Sequence, residues 1–295
     1  MPSAASAPGF ELDLTLLRSW FGVGVAGNFA GHLEQAGEAG DFRDVEAAAD
    51  APKGIFPFYA PGLDSYLSTY PLSHDEVAMP AAGSPTGNLQ IEPEVALACR
   101  VDYGDDGAVA ALVPLAFGAF NDCSVRRADA AKLSEKKNWG ACSKGVAASF
   151  IPLGDASLEQ ASASHRLASF LRRDGELHAY GVDSPLSGYS YFGERLLDWV
   201  VERLNNQEGG PESPLEPVGH YLGQCGRPAR MLLAIGATRY TAFGESTYLR
   251  LGDEAIVVVY DGESVTPAGV EAALRESSSP ALAGASSLLA QRVRD

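Results

Sequence analysis

The chain has 295 residues, of which 46% are hydrophobic, and a formal net charge of −16. That hydrophobic share excludes a globally disordered chain, and the length allows one large domain burying roughly three quarters of its unfolded surface. The acidic balance argues against nucleic acid or anionic lipid as a partner, because both need a basic face.

Met1 to Pro8 has no charged start leading into an apolar stretch, so it is no signal peptide, and residues 1–9 are expected to be a disordered leader. Trp20 to Val25 reads as a buried strand, followed by a glycine-rich turn, Gly27 to Gly31, that leads into His32. Pro52 to Gln90 is rich in proline, glycine, serine and aromatics and predicts loops and short strands. Ile91 to Tyr103 alternates as a strand. Val109 to Phe120 is an apolar strand with a break near Pro114, and its run is too short for the roughly 18–20 residues of a membrane span.

Asn121 to Asn138 predicts a turn and a short helix. Leu167 to Val182 predicts a hairpin turning at Asp174-Gly175. Phe192 to Leu204 is the best amphipathic helix, with Leu196, Leu197, Val200 and Leu204 on one face. Met231 to Ile235 and Glu254 to Tyr260 are buried strands. Thr266-Pro267 opens a helix, with threonine at the cap and proline in the first turn. Ser277 to Pro280 then separates a C-terminal helix expected to pack on the outside. The fold class is strand-rich α+β. Residues 10–265 are expected to form one domain, with an N-terminal part over 10–90 and a core over 91–265, followed by a helical extension over 266–295. Cys99, Cys123, Cys142 and Cys225 match no zinc spacing and read as reduced thiols of a cytoplasmic protein.

The strongest chemical signal is Glu92-Pro93-Glu94. Side chains alternate along a strand, so Glu92 and Glu94 share one face beside Ala96 and Ala98. Two like charges side by side need compensation, which a hard divalent cation held by oxygen ligands supplies. The alternative is a solvated strand edge, which Pro93 would suit. Asp122, just after an apolar strand, is either a third oxygen ligand or a turn cap. Lys144 is either a holder of substrate carboxylate or enolate charge, or solvated surface. His32 is either a general base or a structural histidine. Gly22-Val23-Gly24-Val25-Ala26-Gly27 fits G-x-G-x-x-G, but the segment after it carries Gly31, Gly37 and Gly40, which suits a phosphate-binding helix poorly.

Read in order, these motifs resemble the fumarylacetoacetate hydrolase superfamily from about Phe21 to Asp261. Gly27-Asn28-Phe29 through His32 resembles its "GxNYxxH". Glu92-Pro93-Glu94-Val95-Ala96 resembles "ExELA", and Asn121 to Arg126 resembles "NDxSxR". Ser143-Lys144-Gly145 through Gly154 resembles its lysine region, and Gly236-Ala237-Thr238-Arg239 followed by Gly252-Asp253 resembles "TGTPxG" and "xxGD". The resemblance implies a mixed β-roll core with peripheral helices, a homodimer, and a Mg²⁺, Mn²⁺ or Ca²⁺ ion on Glu92, Glu94 and Asp122. It further implies His32 as base, Lys144 as stabiliser of negative charge, and a small oxo-acid or 1,3-dicarbonyl as substrate. Hydrolysis, decarboxylation or tautomerisation through a metal-stabilised enolate would be the reaction. Arg126, Thr238 and Arg239 would bind the small anionic substrate.

The chain departs from the family at the glutamate that follows the histidine by three residues, where it has Gln35. Glu34, one residue earlier, is the acid retained as a catalytic candidate beside His32, although on a helix it points about 100° away from Gln35, and Glu38, six residues past His32, is poorly placed as well. The metal triad is intact while the water-activating pair is not. This leaves a non-catalytic or repurposed metabolite-binding protein as the alternative to an enzyme.

Overall fold

A computed structural model describes residues 9–42, 47–48, 50–81, 88–127, 130–210, 213–277 and 279–295. Residues 1–8 of the expected leader lie outside the described residues. A strand-rich fold of mixed sheets with peripheral helices is found. Among the described residues the larger sheet has nine strands, seven along one path and two, Leu72–Ser73 and Lys144–Val146, off it. Its path runs Phe10–Glu11, Ser149–Pro152, Val109–Asn121, Pro93–Tyr103, Arg230–Ala234, Phe21–Ala26, Gly54–Tyr59. The second sheet runs Glu176–Pro185, His165–Arg173, Glu254–Asp261, Ser286–Arg294, Glu76–Ala78.

The alternation of side chains along each strand positions the core. In Glu254–Asp261, Val257 and Val259 join the main core with Val95, Leu97 and Phe117 of the larger sheet. Ile256, Val258 and Tyr260 point the other way and pack beneath Val270 and Leu274 of the helix Pro267–Glu276. That helix starts as expected, with Thr266 accepting a hydrogen bond from the Gly269 N–H and proline in the first turn. The predicted hairpin is also present, and Asp174 and Gly175 have φ of 53° and 84°, as a two-residue turn matching strand twist requires.

Two expectations are corrected. The segment after Pro280 is not a helix. Ser286–Arg294 is a strand lying antiparallel to Glu254–Asp261 and parallel to Glu76–Ala78. Ser287, Leu289, Gln291 and Val293 are the buried positions, a period of two rather than 3.6. The break at Pro114 is a bulge within a continuous strand, since the register shifts between Ala98 and Cys99 opposite it.

The glycines of Gly22 to Gly27 also have a packing reason. A Cβ on Gly22 would lie 2.3 Å from the Phe58 ring, and one on Gly24 would lie 2.2 Å from the Phe56 ring. These glycines let the neighbouring strand Gly54–Tyr59 lay its aromatic rings across the sheet.

One side-chain bridge links the strand Ser286–Arg294 to the strand that carries the carboxylates. Asn121 accepts a hydrogen bond from the Glu92 backbone at 3.1 Å and donates to Gln291 at 3.0 Å. Gln291 donates in turn to the Glu76 carbonyl at 2.6 Å.

Candidate metal centre

The register of one hairpin gathers the three carboxylates. Pro93–Tyr103 pairs antiparallel with Val109–Asn121, setting Pro93 opposite Asn121. Asp122 therefore falls beside Glu92, and its N–H donates to the Glu92 carbonyl at 3.0 Å. Ligand oxygens of Glu92, Glu94 and Asp122 lie within 4.8 Å of one another. The three residues are 3%, 2% and 0% exposed, which overturns the solvated-edge alternative.

Buried carboxylates need compensation, and cations surround these. Lys137 Nζ lies 2.6 Å from Glu92 Oε2 and 2.7 Å from Asp122 Oδ2. Arg126 places Nη2 2.7 Å from Glu92 Oε1, Nη1 2.8 Å from Glu38 and Nε 2.7 Å from Gln90. Lys144 lies behind Asp122 at 3.3 Å and bonds the Cys123 carbonyl.

Titration follows from these placements. Burial alone would raise Glu92, but the charges of Lys137 and Arg126 outweigh it and hold its carboxyl well below the usual carboxylate range. Glu94 goes the other way: burial and then the Asp122 charge push it well above that range. Burial also raises Asp122 against the opposing pull of Lys137 and Lys144. Burial would lower Lys137, but Asp122 and Glu92 outweigh it and hold the ammonium charged. For Lys144 burial prevails, and its amine is lowered.

His32 is buried at the start of the short helix His32–Gln35. Its Nδ1 lies 2.9 Å from the Thr238 carbonyl. A carbonyl only accepts, so Nδ1 carries the proton and Nε2 keeps its lone pair. Burial lowers the imidazole below its ordinary value, which keeps it neutral. The next residues correct the sequence reading. Gly37 has φ of 70°, and Glu38 N–H returns to Leu33 O at 2.9 Å while Gly37 N–H returns to Glu34 O at 3.2 Å. This pair of bonds ends the helix and folds the chain back. Glu38 thereby reaches the site on Arg126, whereas Glu34 is exposed and away from it. Gln35 is held elsewhere, accepting from Tyr240 N–H at 2.9 Å.

The loop after Arg230–Ala234 closes another side. Gly236, at φ of 110°, donates its N–H to Glu94 Oε2 at 2.8 Å. Thr238 is buried and meets the site through its backbone, while Arg239 is exposed. Asn28 is a staple rather than a site group, bonded to Tyr191 N–H and to the Tyr191 and Ile235 carbonyls.

His32, Leu33, Glu38, Glu92, Glu94, Asp122 and Lys137 are among the residues lining a cavity of about 20 Å³. That is room for one water or one small ion. Glu92 Oε1 and both Asp122 oxygens are buried and face the cations Arg126, Lys137 and Lys144. Three clustered carboxylates are a hard oxygen donor set that fits a divalent cation. Lys137 and Glu38 are the site residues that sequence reasoning passes over. The available signal for Lys137 is its place between the Asp122 motif and Lys144. For Glu38 it is the glycine just before it.

A family model described as a family of unknown function (DUF5718) matches residues 38–293. No curated protein matches the sequence. Among solved structures, Cg1458 with an inhibitor is 16% identical, with 93% of this chain and 77% of that chain covered and a TM-score of 0.51. A 2-keto-3-deoxy-D-arabinonate dehydratase complexed with magnesium and 2,5-dioxopentanoate is 12% identical, covering 96% and 82%, with a TM-score of 0.50. An Oleispira antarctica protein of the fumarylacetoacetate isomerase/hydrolase kind is 12% identical, covering 93% of each chain, with a TM-score of 0.45. The fumarylacetoacetate-hydrolase-like fold implied by the motif order is thus found, as a likeness of fold. No described helix is long and apolar enough to cross a membrane.

Proposed function

We propose that this chain, which belongs to the DUF5718 family, is a divalent-metal-dependent enzyme acting on a small oxo-acid or 1,3-dicarbonyl. The observation that carries this reading is the buried Glu92, Glu94 and Asp122 cluster, with ligand oxygens within 4.8 Å of one another, beside His32. The three carboxylates would hold Mg²⁺, Mn²⁺ or Ca²⁺, and such an ion supplies Lewis-acid polarisation of a carbonyl when bound. The dehydratase neighbour, with its magnesium and dioxo acid, supports that choice.

The chain's own residues then divide the work. Thr238 fixes the His32 ring through Nδ1, so Nε2 is the atom that accepts a proton. Glu38 reaches the cavity in place of the missing partner at Gln35, although its direct contact is Arg126 and not His32. Arg126 keeps Glu92 ionised, and Lys144 lends positive charge behind Asp122. Arg239, exposed beside the loop, is the group free to meet a substrate carboxylate from outside. Proton movement at a carbon next to a carbonyl, leading to C–C cleavage, decarboxylation or tautomerisation, is the chemistry of this set. A homodimer goes with the reading, and so does a cytoplasmic setting, where the free Cys99, Cys123, Cys142 and Cys225 would stay reduced.

A specific observation favours a second reading, a repurposed binding protein. Gln35, where the resemblance expects the glutamate that pairs with the histidine, is bound to Tyr240 and not to His32. One experiment separates the two. EDTA-stripped protein is titrated with Mg²⁺, Mn²⁺ and Ca²⁺ in thermal melts, beside the E92A/E94A variant, and the loaded protein is then offered acylpyruvates and other oxo-acids. The enzyme reading expects a saturable rise in Tm in the intact protein only, by mass action on the native state, followed by turnover. An equal rise in the variant, or none in either, overturns the metal site. Loading without turnover moves the conclusion to the binding protein.

A further inference from the structure

The Lys137 ammonium occupies the place where two of the three carboxylates would meet a metal. It lies 2.6 Å from Glu92 Oε2 and 2.7 Å from Asp122 Oδ2, bridging the pair. A divalent ion held by those carboxylates would sit roughly 2.0–2.6 Å from their oxygens, and so within a few ångströms of the ammonium. Like charges that close, in a buried site, repel strongly. The cavity of about 20 Å³ beside Lys137 has room for one small ion, so it is charge rather than space that sets the two cations against each other.

Lys137 is mounted so that it can leave. It follows the 3-10 turn Leu133–Lys136, and its ammonium, carried on a flexible four-carbon stem, lies 5.4 Å from the centroid of the Phe56 ring. The backbone on its far side is pinned, since Asn138 Nδ2 donates to Phe58 O at 2.9 Å and Thr69 O at 3.0 Å. A second acceptor lines the same cavity: Glu38, which already takes Arg126 at 2.8 Å and Lys136 at 3.7 Å.

We propose that Lys137 is a tethered cation that exchanges with the divalent metal, the ammonium neutralising Glu92 and Asp122 in the metal-free protein and being expelled when metal binds. This rests on the metal reading above and adds a role for a residue outside the resemblance. It gives the metal-free protein a closed, charge-balanced core. It also sets a threshold, because metal must displace a resident charge before it is held.

The test is calorimetric titration of Mn²⁺ into EDTA-stripped wild type and the K137M variant, with Trp139 emission as a second readout in the folded wild type. Trp139 lies two residues from Lys137, and a W20F/W199F background isolates its signal. Exchange predicts that K137M binds Mn²⁺ about tenfold or more tightly than wild type, the size of coupling usual between two linked binding events. It also predicts that Mg²⁺ shifts Trp139 emission in wild type. Weaker or equal binding by K137M, or a wild-type Trp139 signal indifferent to Mg²⁺, overturns the exchange and leaves the metal site standing. Absence of binding to both proteins overturns the exchange and the metal reading together.

Discussion

Glu92 and Glu216 are both buried carboxylates, and both are gripped by the segment around the turn Leu133–Lys136. Ser134 donates its hydroxyl to Glu216, and Lys137, three residues on, donates to Glu92. Their titration is opposite. Burial raises Glu216 to about 7, and the Ser134 hydrogen bond and the Lys132 charge do not reverse it. Glu92 suffers the same desolvation but meets two cations directly and falls well below the carboxylate range. Between these two, burial is shared, and the difference is that Glu92 has Lys137 and Arg126 in direct contact. One short segment therefore supports a permanently ionised acid on one side and an acid poised near neutrality on the other.

The largest expected effect comes from breaking the charged side. R126M leaves Glu92 and Glu38 short of a buried partner, and it should lower unfolding stability by about 3–5 kcal/mol in urea denaturation. A loss under about 1 kcal/mol would mean that Lys137 and Lys136 carry those charges alone.

The next effect sharpens the other side. Glu216 has a folded pKa of about 7 against an ordinary 4.5, so the folded protein holds a proton that the unfolded chain has lost across that window. Stability attributable to this group is complete below pH 4.5 and falls as pH rises through 7, by up to about 3 kcal/mol. E216Q should abolish that fall. Denaturation at pH 5 and pH 8 then shows the variant gaining on wild type at the higher pH, and parallel pH profiles would refute the assignment.

The smallest effect is expected where pairs of the same chemistry face water. Arg275 and Glu271 lie 2.5 Å apart on the helix Pro267–Glu276, about half exposed. R275A should leave the unfolding midpoint within error of wild type, most clearly in high salt, where exposed charges are screened. A large loss there would undo the contrast between buried and exposed pairs.

The carboxylate triad is legible in the sequence because it depends on local pattern. Two glutamates at a spacing of two on an apolar strand share a face in any register, and Asp122 follows from the next strand of the same hairpin. The cation side is not legible. Lys136 and Lys137 are adjacent in sequence, and only the turn Leu133–Lys136 decides that Lys137 bridges Glu92 and Asp122 while Lys136 turns to Glu38. Glu38 is missed because helical spacing is extended past Gly37, whose positive φ ends the helix and reverses the chain. Glu34, retained as the acid next to the Gln35 position, is left in solvent. The strand Ser286–Arg294 is misread as helix because polar Ser287 and Gln291 occupy its buried face while apolar Leu288 and Ala290 lie on the other, which hides the period of two.

The Asn121–Gln291 hydrogen bond joins positions 170 residues apart in the chain. The ribosome makes the hairpin that carries the carboxylates long before it makes the strand that braces it. Until that strand is in place, Asn121 holds the Glu92 backbone without its own support, and three acidic side chains await a sheet not yet closed. Contacts this distant in sequence slow folding, because the loop between them must be closed before they stabilise anything. Nascent chains of this protein would pass through a long interval as an acidic, half-built sheet, and that interval is when chaperones would meet it.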